Sequence, residues 1–152
     1  MARMVFLDSA PLGLASQARG KPNAHACWSW LAALEAAGVE VVIPEIIDYE
    51  IRRELVRVGA TAGLRRLDRL LTRFRLLSLD RPALLHAAEL WALVRRAGLP
   101  TAHPQALDVD AILAGQALTA VGLGHVATVA TNNAQHLARF PGIDARPWTA
   151  IT

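Results

Sequence analysis

The 152-residue sequence holds one cysteine and one tyrosine, and only 5% of it is aromatic. Cys27 has no partner for an internal disulfide, which excludes a disulfide-stapled secreted domain and makes a reducing cytoplasm the expected setting. The opening "MARMVFLDSAPLG" has only a short apolar run before Asp8, so no signal peptide is expected. Residues 111–130, "AILAGQALTAVGLGHVATVA", carry no formal charge and approach the length of a membrane span. Gly122, Gly124 and His125 divide them, however, and a buried helix followed by a short buried strand is the simpler reading. No paired metal-ligand spacing joins His25, His86, His103 and His125, so zinc has no support. A P-loop and a Gly-x-Ser-x-Gly elbow are both missing, and "VGLGH" follows a helix and lacks the third glycine of a dinucleotide fingerprint.

What is present suits one globular domain spanning 1–152, since 53% apolar residues are enough to bury a sizeable core. The net charge is +3, and its excess is local. Between Arg52 and Arg75, eight arginines face only Glu54 and Asp68, a balance of +6. Arg52, Arg53 and Arg57 at the start of this stretch are candidates for contacting RNA or a partner; a solvated helix face accounts for them equally well.

Strand and helix signals alternate along the chain. "RMVFLD" reads as a strand ending on an acid, followed by a loop and a helix over "NAHACWSWLAALEAAG", with Asn23 as candidate N-cap and Gly38 as stop. "VEVVI" is β-branched and strand-like, and "PEIIDYEIRRELVRVG" continues helically from Pro44. Leu64, Leu67, Leu70, Leu71 and Phe74 repeat at helical spacing before the strand "RLLSL". Asp80 caps the next helix and Gly98 stops it; the proline-bearing "LPTAHPQAL" then leads to a helix opened by Asp108 and Asp110. "HVATVA" is a strand, "TNNAQHL" a turn, and a short strand near "ARPW" closes the pattern. Such alternation with mostly buried strands predicts an α/β fold, a parallel sheet covered on both faces.

In such sheets ligands bind beyond the C-terminal ends of the strands. Asp8 ends the first strand, Glu45, Asp48 and Glu50 lie on the helix after the second, and Thr131, Asn132 and Asn133 follow "HVATVA". Carboxylates converging there repel one another unless a hard cation such as Mg²⁺ lies between them. Capping the helix explains one of the pair Asp108 and Asp110, and a metal ligand would explain the other. Cys27, within "HACWSW", reads as a buried thiol rather than a nucleophile.

Read in order, "VFLDS", "PEIIDYEIRREL", "LDVDAILAGQAL" and "VATVATNNAQHLARFPGI" resemble the PIN-domain ribonucleases, most closely the small VapC-type toxins, over essentially the whole chain. The resemblance implies a three-layer sandwich with a mostly parallel central sheet flanked by helices. It also implies an endoribonuclease dependent on Mg²⁺ or Mn²⁺, with Asp8, Glu50 and Asp110 as catalytic acids and metal ligands. Asp108 would be an auxiliary ligand or a helix cap, and Ser9, Thr131, Asn133 and His136 supporting residues. An RNA substrate, a homodimer and a cognate antitoxin are the implied partners. Many members place a fourth acid at or just after the Thr-x-Asn turn, whereas "TNNAQHL" has none and Asn133 or His136 stands there instead. That departure keeps a non-catalytic PIN-like module that binds RNA or protein as the alternative. An unrelated α/β domain binding a small phosphorylated ligand is a third reading.

Overall fold

The computed structural model describes residues 3–98 and 104–152, with side chains described from residue 107 onward in the second segment. Five strands form one sheet in the order β3-β2-β1-β4-β5: β1 (Met4–Leu7), β2 (Glu40–Pro44), β3 (Arg75–Leu77), β4 (Ala127–Ala130) and β5 (Ile143–Arg146). Every pairing is parallel, so the expectation of a mostly parallel sheet is met in its strictest form. In register, Val5 faces Val41 on one side and Thr128 on the other, which puts β1 at the centre. Val5, Phe6, Leu7, Val42 and Ile43 are fully buried, as strands covered on both faces require.

Seven α-helices flank the sheet among the described residues: α1 (Ser9–Ala15), α2 (Pro22–Ala36), α3 (Glu45–Arg57), α4 (Thr61–Arg73), α5 (Arg81–Arg96), α6 (Pro104–Val121) and α7 (Ala134–Leu137). Several stops and caps fall where sequence chemistry puts them. Gly38 and Gly98 follow α2 and α5 with φ of 77° and 64°, a region that favours glycine, and the Asp80 carboxylate accepts the Ala83 N–H at 3.0 Å.

Other expectations are corrected. The loop after Asp8 is helix α1, because Pro11 falls in its first turn, where no backbone N–H needs an intrahelical partner. Helix α2 begins at Pro22 with Lys21 as N-cap, so Asn23 lies inside the helix and caps nothing. The turn "TNNAQHL" contains the one-turn helix α7. Helix α6 starts at Pro104, so Asp108 and Asp110 sit inside it and neither caps it. The expected proline-bearing loop lies largely at 99–103, outside the described residues.

The uncharged stretch 111–130 divides as expected into the end of α6, a turn at Gly122 and Gly124, and strand β4. No helix among the described residues is long and apolar enough to cross a membrane. The closing strand lies at 143–146 and joins the sheet edge beside β4. It is followed by a 3₁₀ turn whose Trp148 packs on Trp30 at 5.5 Å between ring centroids.

Two residues fix α6. Gln116, buried on its inner face, donates to the Leu77 carbonyl at 2.8 Å and accepts the Ile46 N–H at 3.2 Å, which ties the helix to the end of β3 and the first turn of α3. Gly115 lets α5 approach: a Cβ there would stand 2.6 Å from the Ala83 carbonyl oxygen and 2.9 Å from the Ala87 nitrogen, both backbone atoms. Gly115→Ala should therefore destabilise the fold by about 1–3 kcal/mol despite alanine's better helix propensity, read as a lower midpoint in urea unfolding.

Candidate functional site

At the C-terminal edge of β1, Asp8 is the N-cap of α1, and its Oδ1 accepts the Ser9 N–H at 2.7 Å. Its other oxygen, Oδ2, accepts the Thr131 hydroxyl at 2.7 Å, and Thr131 Oγ1 in turn accepts the Asn133 N–H at 2.8 Å. Parallel pairing of β1 with β4 makes this possible, since Asp8 and Thr131 are the residues that leave these two neighbouring strands. The Asp8 N–H donates to the Ala130 carbonyl at 2.9 Å and continues the ladder up to the site. Both residues are buried, and both Asp8 oxygens are held.

Glu50 comes from α3, which follows β2 directly, and Asp110 from α6. With Asp8, Ser9, Thr131, Asn132 and Asn133 they line one cavity of about 280 Å³ at the sheet edge. The structure also separates Glu50 from its acidic neighbours on α3. Glu45 accepts the Leu79 N–H at 2.9 Å, Asp48 pairs with Arg52 at 3.0 Å, and Glu54 pairs with Arg57, so the other three acids have structural partners.

Asp110 is 9% exposed and its carboxyl is pushed up from 3.8 to about 7. Burial is the largest cause, followed by the negative charges of Asp8 and Glu50; Arg139, after α7, acts in the opposite direction. Nothing in "HLARF" singles out Arg139, because its nearness to Asp110 depends on how the segment after α7 folds back.

Asp108 is not brought to this cavity. It lies on the exposed side of α6 and lines a groove with Leu84, Trp91 and Ile112, between α5 and α6. The two positions between it and Asp110 turn the helix by about 200°, so one of the pair faces inward and the other outward. His136 is half-buried on α7, where its carbonyl accepts Arg139 Nε at 3.0 Å, and it is not among the cavity's lining residues. Arg52 bridges Asp48 and Asp68, the latter at 2.8 Å; Arg53 lies over Tyr49 at 5.3 Å; Arg57 is held by Glu54. The first and third of these arginines are thus neutralised within the chain.

Residues 6–141 match the PIN domain family. The chain belongs to that family. Similar solved structures of this PIN domain include VapBC2 from Rickettsia felis bound to a DNA fragment from their promoter, with 18% identity, a TM-score of 0.75 and coverage of 95% of this chain and 98% of that one. VapBC-1 from nontypeable Haemophilus influenzae matches with 18% identity, a TM-score of 0.69 and coverage of 96% and 98%. DNA-bound VapBC from Salmonella typhimurium matches with 24% identity, a TM-score of 0.63 and coverage of 97% and 99%. Among curated proteins none matches.

Among the described residues, no three carboxylate, histidine or cysteine groups already stand close enough together to enclose a metal ion. The donor chemistry of the PIN domain's cavity nevertheless fits a hard cation, because all three ionisable groups that line it are carboxylates and their mutual repulsion is visible at Asp110.

A buried carboxyl whose folded-state pKa is raised contributes stability that is complete below its unfolded value near 4 and is lost as pH rises to about 7. Asp110→Asn removes the charge and hence the loss. The variant should match the parent protein near pH 4 and exceed it by on the order of 2–4 kcal/mol at pH 8 without metal, measured by urea unfolding at both pH values. Thr131→Val, which frees Asp8 Oδ2 and the Asn133 N–H, should destabilise by about 1–3 kcal/mol in the same assay.

Proposed function

We propose that this PIN domain is a metal-dependent endoribonuclease of VapC type, the toxin of a toxin–antitoxin pair. The observation that carries the reading is the cavity shared by Asp8, Glu50 and Asp110, where three acids from three elements meet at the sheet edge and one of them is held near neutrality. Asp8, Glu50 and Asp110 would hold Mg²⁺ or Mn²⁺, with Asn133 as a neutral neighbour. Such an ion, when bound, lowers the pKa of a water and polarises a phosphoryl oxygen for in-line displacement.

The chain's own residues set the stage for that chemistry. Ser9 N–H and Thr131 Oγ1 each hold one oxygen of Asp8, which fixes the carboxylate before anything binds. Asp110 keeps its proton up to about pH 7 in the metal-free protein, and a cation competes with that proton for the same oxygens. Thermal stabilisation by Mg²⁺ or Mn²⁺ should therefore be larger at pH 8 than at pH 6, and much smaller in Asp110→Asn. Equal stabilisation at both pH values would count against Asp110 as a ligand.

The likeness to chains of VapBC structures supports a cognate antitoxin as partner; a homodimer and a cytoplasmic setting rest on the family resemblance alone. A second reading has its own support. Where many relatives carry a fourth acid, Asn132 and Asn133 line the cavity instead, and a neutral amide is a weaker ligand for Mg²⁺. A non-catalytic module that binds RNA or protein is the reading this favours.

Cleavage of a mixed, labelled RNA pool decides between the two. The nuclease cuts with Mg²⁺ or Mn²⁺, stops with chelator, and loses activity by at least about a hundredfold in Asp110→Asn, the scale of removing one charge-stabilising group from a reaction centre. No cutting by folded, partner-free protein, with RNA binding that survives loss of all three acids, would establish the binding module.

A further inference from the structure

The arginines of this chain differ in how their charge is met. Arg52, Arg57, Arg73, Arg75 and Arg146 each have a carboxylate partner. Arg19, Arg66 and Arg69 have none among the described residues, yet these three converge on one cavity of about 290 Å³ whose remaining lining is Ala15 and Trp28. Two of them are positioned by neutral contacts that leave the charge uncompensated. The Arg19 guanidinium lies over the Trp28 ring at 4.4 Å, and Arg66 Nε donates to the Ser16 carbonyl at 2.7 Å. Trp28 is itself fixed, because its indole N–H donates to the Ala15 carbonyl at 2.9 Å.

Helix α1 spans the distance between this cavity and the acid site. Arg66 also lines a neighbouring cavity with Gly13 and Ile51, and Ile51 directly follows Glu50 on α3. Ser9 opens α1 beside the acids and Ala15 ends it at the arginines, a separation of about 9 Å along the helix axis.

We propose that Arg19, Arg66 and Arg69 form a phosphate-binding exosite that holds the flank of a single-stranded RNA whose scissile phosphate lies at the acid cavity. It rests on the nuclease reading and adds to it where the strand is held. The physical need is plain. Three carboxylates repel a polyanion, so a strand must gain its affinity from cations outside the acid cavity. Unpaired guanidinium forks donate to phosphate oxygens in bidentate fashion, and the low cost of ordering Arg19 and Arg66, which are already positioned, adds to affinity. A patch that reads phosphates alone weakens or strengthens all sequences alike, so this exosite contributes grip and leaves sequence choice to the cavity.

The test is binding of a fluorescent single-stranded RNA of about 16 nucleotides, long enough to fill a single-strand site, by the full chain in chelator so that nothing is cut. Arg19→Gln/Arg69→Gln should weaken binding about tenfold near 0.1 M salt and reduce the slope of log K against log salt by about 1–2. Arg19→Lys/Arg69→Lys should keep the slope, and both variants should keep the parent's thermal midpoint, since the paired positions are exposed. In the cutting assay the Gln variant should raise KM and leave kcat unchanged. An unchanged slope and affinity in the Gln variant would overturn the exosite even where the parent chain cuts RNA. Loss of an acidic protein partner with RNA binding intact would overturn it too, by assigning the cavity to that protein. Absence of cutting in every chain, with the slope difference present, would overturn the nuclease and support the exosite.

Discussion

The parallel pairing of β1 with both of its neighbours is the constraint from which the site follows. A strand flanked on each side by parallel partners delivers its last residue to the same edge as theirs. Asp8 leaves β1 there, Pro44 hands the chain from β2 into α3, and Thr131 leaves β4. The Asp8–Thr131 hydrogen bond at 2.7 Å closes that edge between the central strand and β4. Glu50 then needs only α3 to stay straight from β2, and Asp110 needs α6 to pass over the same edge. Burial of Val5, Phe6 and Leu7 in the middle of the core resists any register shift, which would turn these side chains out of their layers.

Charge is arranged in opposition to the chain's average. The protein is basic as a whole, yet in the cavity lined by Asp8, Glu50 and Asp110 burial and two like charges raise the Asp110 carboxyl to about 7. Much of the basic excess is consumed internally, as by Arg52 bridging Asp48 and Asp68 between α3 and α4. Such exposed or half-exposed pairs contribute little stability singly, so their main effect is on where positive charge is left unspent.

Most of the fold was legible in the sequence because the strands are nearly all apolar and the helices carry their own stops at Gly38 and Gly98. Elements were misread where local chemistry has two outcomes. Pro11 and Gly13 suggest a loop after Asp8, whereas proline in a first helical turn loses no hydrogen bond, and α1 forms. The pair Asp108 and Asp110 looks like a helix start, whereas Pro104 begins α6 earlier. That single shift also reassigns Asp108, since helical rotation sends it outward while Asp110 goes in. In the candidate site, Asp8, Ser9, Glu50, Asp110, Thr131 and Asn133 could be named through the family resemblance, where placement alone left Glu45, Asp48 and Asp108 beside them, and the structure gathers the six around one cavity. Arg139 and the arginines around Trp28 could not be, because their meeting depends on tertiary contacts between segments distant in sequence.

The buried Gln116 amide has a bearing on geometry as well as stability. Helices packed by apolar ridges can slide or roll among several near-equal seats, and a carboxamide that must serve both Leu77 and Ile46 selects one of them. It acts as a dowel between α6, the end of β3 and the start of α3. Asp110 lies about 9 Å up the same helix, so the pin that sets the helix's rotation and height also sets the aim of the carboxylate. The accuracy of an acid lining the cavity is thus inherited from a neutral side chain six residues further along the helix.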